Sequence, residues 1–161
     1  MVKYDSIHGT YPGEVVAGED ALFINGKKVI LVNSRDPREL PWGKLDIDIV
    51  IEATGKFVSQ ESAGLHIEAG AKKVIITAPG KNEDITIVMG VNDSDYISSE
   101  HHIISNASCT TNCLAPVIKV LDDQFGVQSG MMTTVHAYTN DQKNIDNPHK
   151  DLRRARACGQ S

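Results

Sequence analysis

A cysteine, a histidine and a few hydroxyls are the residues of this chain best suited to chemistry. Cys109 sits in the run Ser105-Asn106-Ala107-Ser108-Cys109-Thr110-Thr111-Asn112-Cys113, just ahead of Leu114, Val117, Ile118, Leu121 and Phe125 at helical spacing. That spacing predicts a helix capped by Ser108, with Cys109 in its first turn and Gly126 at its end. Unpaired backbone N–H groups at a helix start, with the positive end of its dipole, stabilise a thiolate. Cys109 is therefore placed to be a nucleophile. The same donors, with the hydroxyls of Ser108 and Thr110, suit a phosphate or the oxyanion of a tetrahedral intermediate. His136 follows the apolar segment Met131 to Val135 and is the best candidate to activate the thiol and relay a proton. A structural reading also fits, with Cys109 and Cys113 as small buried residues and His136 as a hydrogen-bonded core histidine. No metal is expected, because the spacing of the second cysteine matches no common structural zinc pattern. A cysteine hydrolase lacks an evident third residue to orient His136.

These side chains need strands and a helix to carry them. From Glu14 to Val32 apolar and polar residues alternate, and Asn25-Gly26 suits a tight hairpin turn. Ile47 to Ile51 is a short apolar run of the kind buried on both faces of a parallel sheet. Ser59 to Ala69 has helical character with Gly70 as its C-terminal stop, and Lys73 to Thr77 reads as another buried strand. Strand, helix, strand is a βαβ unit, which predicts ligands at the carboxyl ends of parallel strands, where Thr54-Gly55 and Thr77-Ala78-Pro79 fall. Thr86 to Met89 and His102 to Ser105 form a further strand pair leading to Cys109. Met131 to Val135 is a strand candidate that delivers His136. His8, His66, His101, His102 and His149 read as surface or packing residues.

Composition narrows the function classes. The 161 residues are 40% hydrophobic and 23% charged, which is ordinary globular usage, with a formal net charge of -5. No global positive field exists to hold nucleic acid or an anionic membrane, and no apolar run approaches the roughly 20 residues that span a bilayer. Neither nucleic acid nor membrane is an expected partner. The odd count of three cysteines and an N-terminus without an apolar signal segment favour the cytoplasm.

The segment Ser105 to Pro116 resembles the active-site signature of glyceraldehyde-3-phosphate dehydrogenases, and Thr133-Thr134-Val135-His136-Ala137-Tyr138-Thr139-Asn140-Asp141-Gln142 resembles that family's histidine segment. Similarity runs from Lys3-Tyr4-Asp5-Ser6-Ile7-His8-Gly9 to Asp151-Leu152-Arg153-Arg154-Ala155-Arg156. The resemblance implies an α/β fold: part of a doubly wound, Rossmann-like parallel sheet in residues 1–107, and the start of an α+β catalytic domain in residues 108–161. It implies a glycolytic, NAD-dependent oxidation of glyceraldehyde 3-phosphate with inorganic phosphate, through a thioester on Cys109 with His136 as base. By the same carry-over Ser108, Thr110 and Arg154 bind the attacking phosphate, and Thr139 and Asp141 hold the phosphate of the substrate. Arg35 meets the adenine end of the cofactor, and Thr54, Gly55, Phe57 and Thr77 line its path toward the nicotinamide. Pro148 matches the NAD-dependent members, while Asn147 departs from their usual apolar residue. The basic cluster Arg153, Arg154 and Arg156 also fits a solvated helix face.

The chain departs from the family pattern at both ends. A glycine-rich βα turn and an acidic ribose reader are expected before Lys3, and most of the catalytic domain is expected beyond Ser161. The expectation is an internal fragment that binds NAD weakly, turns over slowly or not at all, and forms homotetramers when full length. An erythrose-4-phosphate dehydrogenase and a non-catalytic remnant that binds full-length subunits are the alternatives.

Overall fold

A computed structural model describes residues 2–160. The chain divides into two compact units, residues up to Gln124 and residues from Phe125 onward.

The first unit opens with strand pairs. β1 (Tyr4–Asp5) and β2 (Gly9–Thr10) make a short antiparallel ladder. β3 (Val15–Ala17), β4 (Ala21–Ile24) and β5 (Lys27–Ile30) form an antiparallel meander that contains the expected hairpin. Its β4–β5 turn has positive φ at both Asn25 (49°) and Gly26 (78°), the requirement of a type I′ hairpin. The Asn25 side chain also accepts from the Glu14 N–H at 2.8 Å, tying the turn to the approach to β3.

A parallel sheet follows. Its strands are β6 (Ile49–Glu52), β7 (Lys73–Ile76), β8 (Ile85–Thr86) and β9 (Ile103–Ser105), ordered β6-β7-β9-β8 with every pairing parallel. Between β6 and β7 runs α1 (Gln60–Glu68). Ser59 caps it reciprocally with Ser62, each side chain bonding the other's backbone N–H, and Gly70 (φ 106°) follows its end. Val50, Ala63, Ala71, Val74, Ile76 and Ile103 form the core between α1 and one sheet face, with Trp42, Ile47, Val58 and Ile67 packed around it. A βαβ unit in a parallel α/β sheet is therefore what the apolar runs encode.

Three strand expectations need correction. β6 starts two residues later than its apolar run and is buried on one face only: Val50 and Glu52 point inward, while Ile49 and Ile51 are 50% and 58% exposed. An apolar run broken only by Asp48 predicts two covered faces, but the covering layer must come from elsewhere in space, and among the described residues only the α1 face has one. Thr86 to Met89 is not a strand beyond Thr86. There the Asn92 side chain accepts from the Val88 N–H at 2.8 Å and donates to the Thr86 carbonyl at 2.9 Å, folding the chain into a turn before Gly90 (φ 77°). Met131 to Val135 takes no regular structure, and Met131 and Val135 are fully exposed. β-Branched, apolar composition alone does not make a strand; it needs a neighbour to pair with.

α2 (Cys109–Phe125) starts where its cap predicts and stops at Gly126 (φ 71°), with Pro116 inside it and none of its residues buried. In the second unit a short 3-10 turn, Leu152–Arg154, is capped by Asp151.

Candidate active site

Parallel pairing puts the carboxyl ends of β6, β7 and β9 on one edge, and the chain is stitched together there. After β6, the Thr54 N–H donates to a Glu52 carboxylate oxygen at 2.8 Å, and the Thr54 hydroxyl donates to the same oxygen. The Lys56 N–H in turn donates to the Thr54 hydroxyl at 3.1 Å, closing the turn around Gly55 (φ 71°). After β7, both the N–H and the hydroxyl of Thr77 bond the Glu52 carbonyl, at 3.1 and 3.2 Å. Thr54, Gly55 and Thr77 thus lie side by side on this edge. Phe57 follows the turn with its ring edge-on to the His66 imidazole. Arg35, on the exposed segment after the β-meander, lies just before a 3-10 turn capped by Asp36.

At the end of β9 stands Ser105, which is fully buried. Its hydroxyl accepts from the Gly80 N–H at 3.0 Å and the Ala107 N–H at 3.1 Å, and donates to the Ala78 carbonyl at 2.9 Å. One side chain thereby ties the loop after β7 to the loop that starts α2. Ala107 takes a left-handed backbone (φ 59°), and Asn112 closes the bend by donating to the carbonyls of Asn106 at 2.7 Å and Ser108 at 2.9 Å. Ser108 then caps the helix, accepting from the Thr111 N–H at 3.0 Å. Cys109 emerges as the first residue of α2 and is exposed, with Thr110 half-buried beside it. Cys113 is exposed as well, so neither cysteine is the small core residue of the structural reading. This arrangement offers a solvent-open thiol at a helix N-terminus, held on the ligand-binding edge of a parallel sheet.

The second unit gathers a cationic pocket. A cavity of 220 Å³ is lined by His136, Tyr138, Gln142, Arg153, Arg154, Arg156 and Cys158. His136 is exposed and bonds the adjoining Ala137 carbonyl through Nδ1. Thr139 lies one residue from this lining, its N–H and hydroxyl both donating to Gln142 Oε1 at 2.8 and 3.2 Å. Asp141 pairs with Arg154 at 2.5 Å and with His149 at 3.2 Å, so two residues expected to meet phosphate groups hold each other here. The His149 hydrogen bond, with the Arg154 charge, holds the Asp141 carboxyl below the usual carboxylate range. Arg153 does the same to Asp151, and Arg156 to Asp146. The cluster is thus not a bare basic face: each guanidinium has a carboxylate, and an incoming anion must compete for it.

The sequence reading missed two contributors. Ser105 reads in the sequence as the end of an apolar strand and the start of the cysteine run, and neither shows that its side chain sets the approach to Cys109. His66 takes the packing role of its two expected ones, and its partner is what the sequence leaves unnamed: its side chain and that of Glu52 are 6% and 2% exposed and hydrogen-bonded at 3.2 Å. A carboxylate inside an apolar strand, at Glu52, was the available signal for both itself and a buried partner.

Among the described residues no helix is long and apolar enough to cross a membrane. The family model for the NAD binding domain of glyceraldehyde 3-phosphate dehydrogenase matches residues 1–60, and the model for its C-terminal domain matches residues 108–161. Glyceraldehyde-3-phosphate dehydrogenase 2 of Bacillus subtilis is 74% identical over all 161 residues, which cover 47% of it. The Geobacillus stearothermophilus enzyme is 61% identical over the same span, covering 48%, and a chloroplastic one of Chondrus crispus is 60% identical over 98% of this chain and 38% of its own. The chain spans about half the length of the curated relatives it matches. With both domain models matched in chain order and identity sustained from one end of the sequence to the other, the chain belongs to the glyceraldehyde-3-phosphate dehydrogenase family.

Proposed function

We propose that this chain carries the thiol half-reaction of a phosphorylating, NAD-dependent oxidation of glyceraldehyde 3-phosphate in glycolysis. One observation carries the reading: Cys109 is an exposed thiol at the start of a helix, on the edge of the parallel sheet where ligands bind. Residues 1–107 supply the cofactor side and residues 108–161 the start of the catalytic side.

The cofactor residues fit a dinucleotide. Gly55 has open space where a Cβ would stand, with no atom within 4 Å, so a ligand can approach the backbone at the strand end. Thr54 and Thr77 are exposed beside it, and the Arg35 guanidinium is exposed to meet the far end. NAD, when bound, supplies the hydride acceptor. The remaining work falls to the chain. Cys109 Sγ attacks the aldehyde carbon and forms a C–S bond, and His136 takes the proton of the resulting hydroxyl as the carbon is oxidised to a thioester. Inorganic phosphate, positioned by Ser108, Thr110 and Arg154, attacks the thioester carbon, expels the thiolate and leaves as 1,3-bisphosphoglycerate. Thr139 and Asp141 help hold the substrate's own phosphate.

The full-length protein acts as a homotetramer in the cytosol. Exposed apolar side chains on the open sheet face and on α2, including Ile49, Ile51, Val117 and Val120, support burial against further protein.

Absorbance at 340 nm tests the proposal. Sustained NADH formation is expected only when aldehyde, NAD and phosphate are all present, with a single turnover when phosphate is left out, and Cys109→Ser is expected to remove both. The rate should fall well below that of an ordinary enzyme, because Cys109 and His136 are both open to water. Ester hydrolysis without NAD would overturn the reading in favour of a cysteine hydrolase.

A further inference from the structure

A polar cluster built on the buried Glu52 and His66 lies outside the residues that the proposed reaction uses. Trp42 Nε1 donates to His66 Nδ1 at 3.0 Å, and His66 Nε2 meets Glu52 Oε2 at 3.2 Å. An indole N–H only donates, so His66 Nδ1 must accept. The imidazole proton then sits on Nε2 and is donated to Glu52. The second Glu52 oxygen receives the N–H and hydroxyl of Thr54. A single line of hydrogen bonds therefore runs from a loop (Trp42), through α1 (His66) and β6 (Glu52), into the turn that carries Gly55. A second contact joins the same parts, since the Phe57 ring packs edge-on against the His66 imidazole with centroids 6.0 Å apart. His66 thus supports the turn through Glu52 on one side and Phe57 on the other.

Core stability does not explain the cluster. Taking a carboxylate and an imidazole out of water is costly, and packed apolar residues of equal volume commonly hold a core as well or better. What an apolar trio cannot do is accept the two Thr54 donors. Without Glu52 those donors would be free to turn outward, and the conformation at Gly55 would lose its anchor.

We propose that Trp42, His66 and Glu52 form a positioning relay that sets the Thr54–Gly55 turn at the cofactor edge. The proposal rests on the dinucleotide reading for what the turn binds, but not for how the turn is held.

Amide hydrogen exchange of the whole chain, without NAD, tests the relay by itself. Trp42→Phe keeps an aromatic ring and removes the indole N–H together with its five-membered ring; Glu52→Gln keeps the shape of the side chain and removes one acceptor oxygen. Both are expected to speed exchange at Thr54 to Lys56 by about tenfold or more while amides of β7 keep their protection. His66→Gln retains an N–H that can reach Glu52 and should exchange more slowly at the turn than His66→Leu. Titration calorimetry with NAD then reads the ligand side, where Trp42→Phe and Glu52→Gln should weaken binding several-fold. Wild-type exchange at the turn in Trp42→Phe would overturn the relay, and so would loosening spread evenly over β7 and α1. Local loosening in the variants, with no NAD binding by the wild type, would support the relay and overturn the dinucleotide reading of the turn.

Discussion

Cys109 and Cys113 are four residues apart on one helix and both exposed, Cys109 at the helix start and Cys113 one turn further on. First-turn N–H groups favour negative charge at the first position and fade within one turn. Alkylation by iodoacetamide at neutral pH, followed by peptide mass spectrometry, should therefore modify Cys109 several-fold faster than Cys113. Equal rates would remove the argument for Cys109 as the nucleophile. The aspartates of the second unit give a pH test. Asp141, Asp146 and Asp151 all titrate below the ordinary value of 3.8, through hydrogen bonds to His149, Arg156 and Arg153 respectively. Because the folded values are depressed, their pairing stabilises the unit above the unfolded value and is lost as pH falls through the folded ones. Carboxylate NMR titration should place all three midpoints below 3.8, and Arg153→Gln should move Asp151 back up while leaving Asp146 in place.

Elements in this chain begin and end through side chains of very different weight. Ser59 caps α1 at the surface of the unit, in a reciprocal box with Ser62; Ser59→Ala is expected to cost about 1 kcal/mol. Ser105 terminates β9 from the interior and satisfies two N–H groups and a carbonyl. Ser105→Ala leaves those groups unsatisfied and is expected to cost roughly 2 kcal/mol or more. Urea denaturation should rank the two variants in that order, and only Ser105→Ala should also change the alkylation rate of Cys109, because only Ser105 ties down the approach to α2. Both caps sit in the chain as serines before a helix or after a strand. Their unequal weight comes from burial, which no local pattern reports.

At the scale of the whole molecule, one sheet face is packed under α1 and the other carries Ile49, Ile51 and Met89 exposed, while α2 exposes Val117, Val120 and Phe125. Exposed apolar side chains in this number bind hydrophobic dyes. The chain should enhance anilinonaphthalene sulfonate fluorescence while its tryptophan signal still melts cooperatively, and Ile51→Lys should reduce the enhancement without lowering the melting temperature appreciably. The sequence by itself determined the βαβ order, the Asn25-Gly26 hairpin, both ends of α1 and α2 and the place of Cys109 at a helix start. Each of these rests on side-chain periodicity, capping or a φ requirement that acts over a few residues. Only the tertiary structure decided that β6 has one covered face, that Met131 to Val135 is not a strand, that Arg154 and Asp141 hold each other, and that Trp42, His66 and Glu52 meet. Those depend on which residues distant in sequence become neighbours, and a buried hydrogen bond or an unpaired strand is a property of the neighbour as much as of the segment.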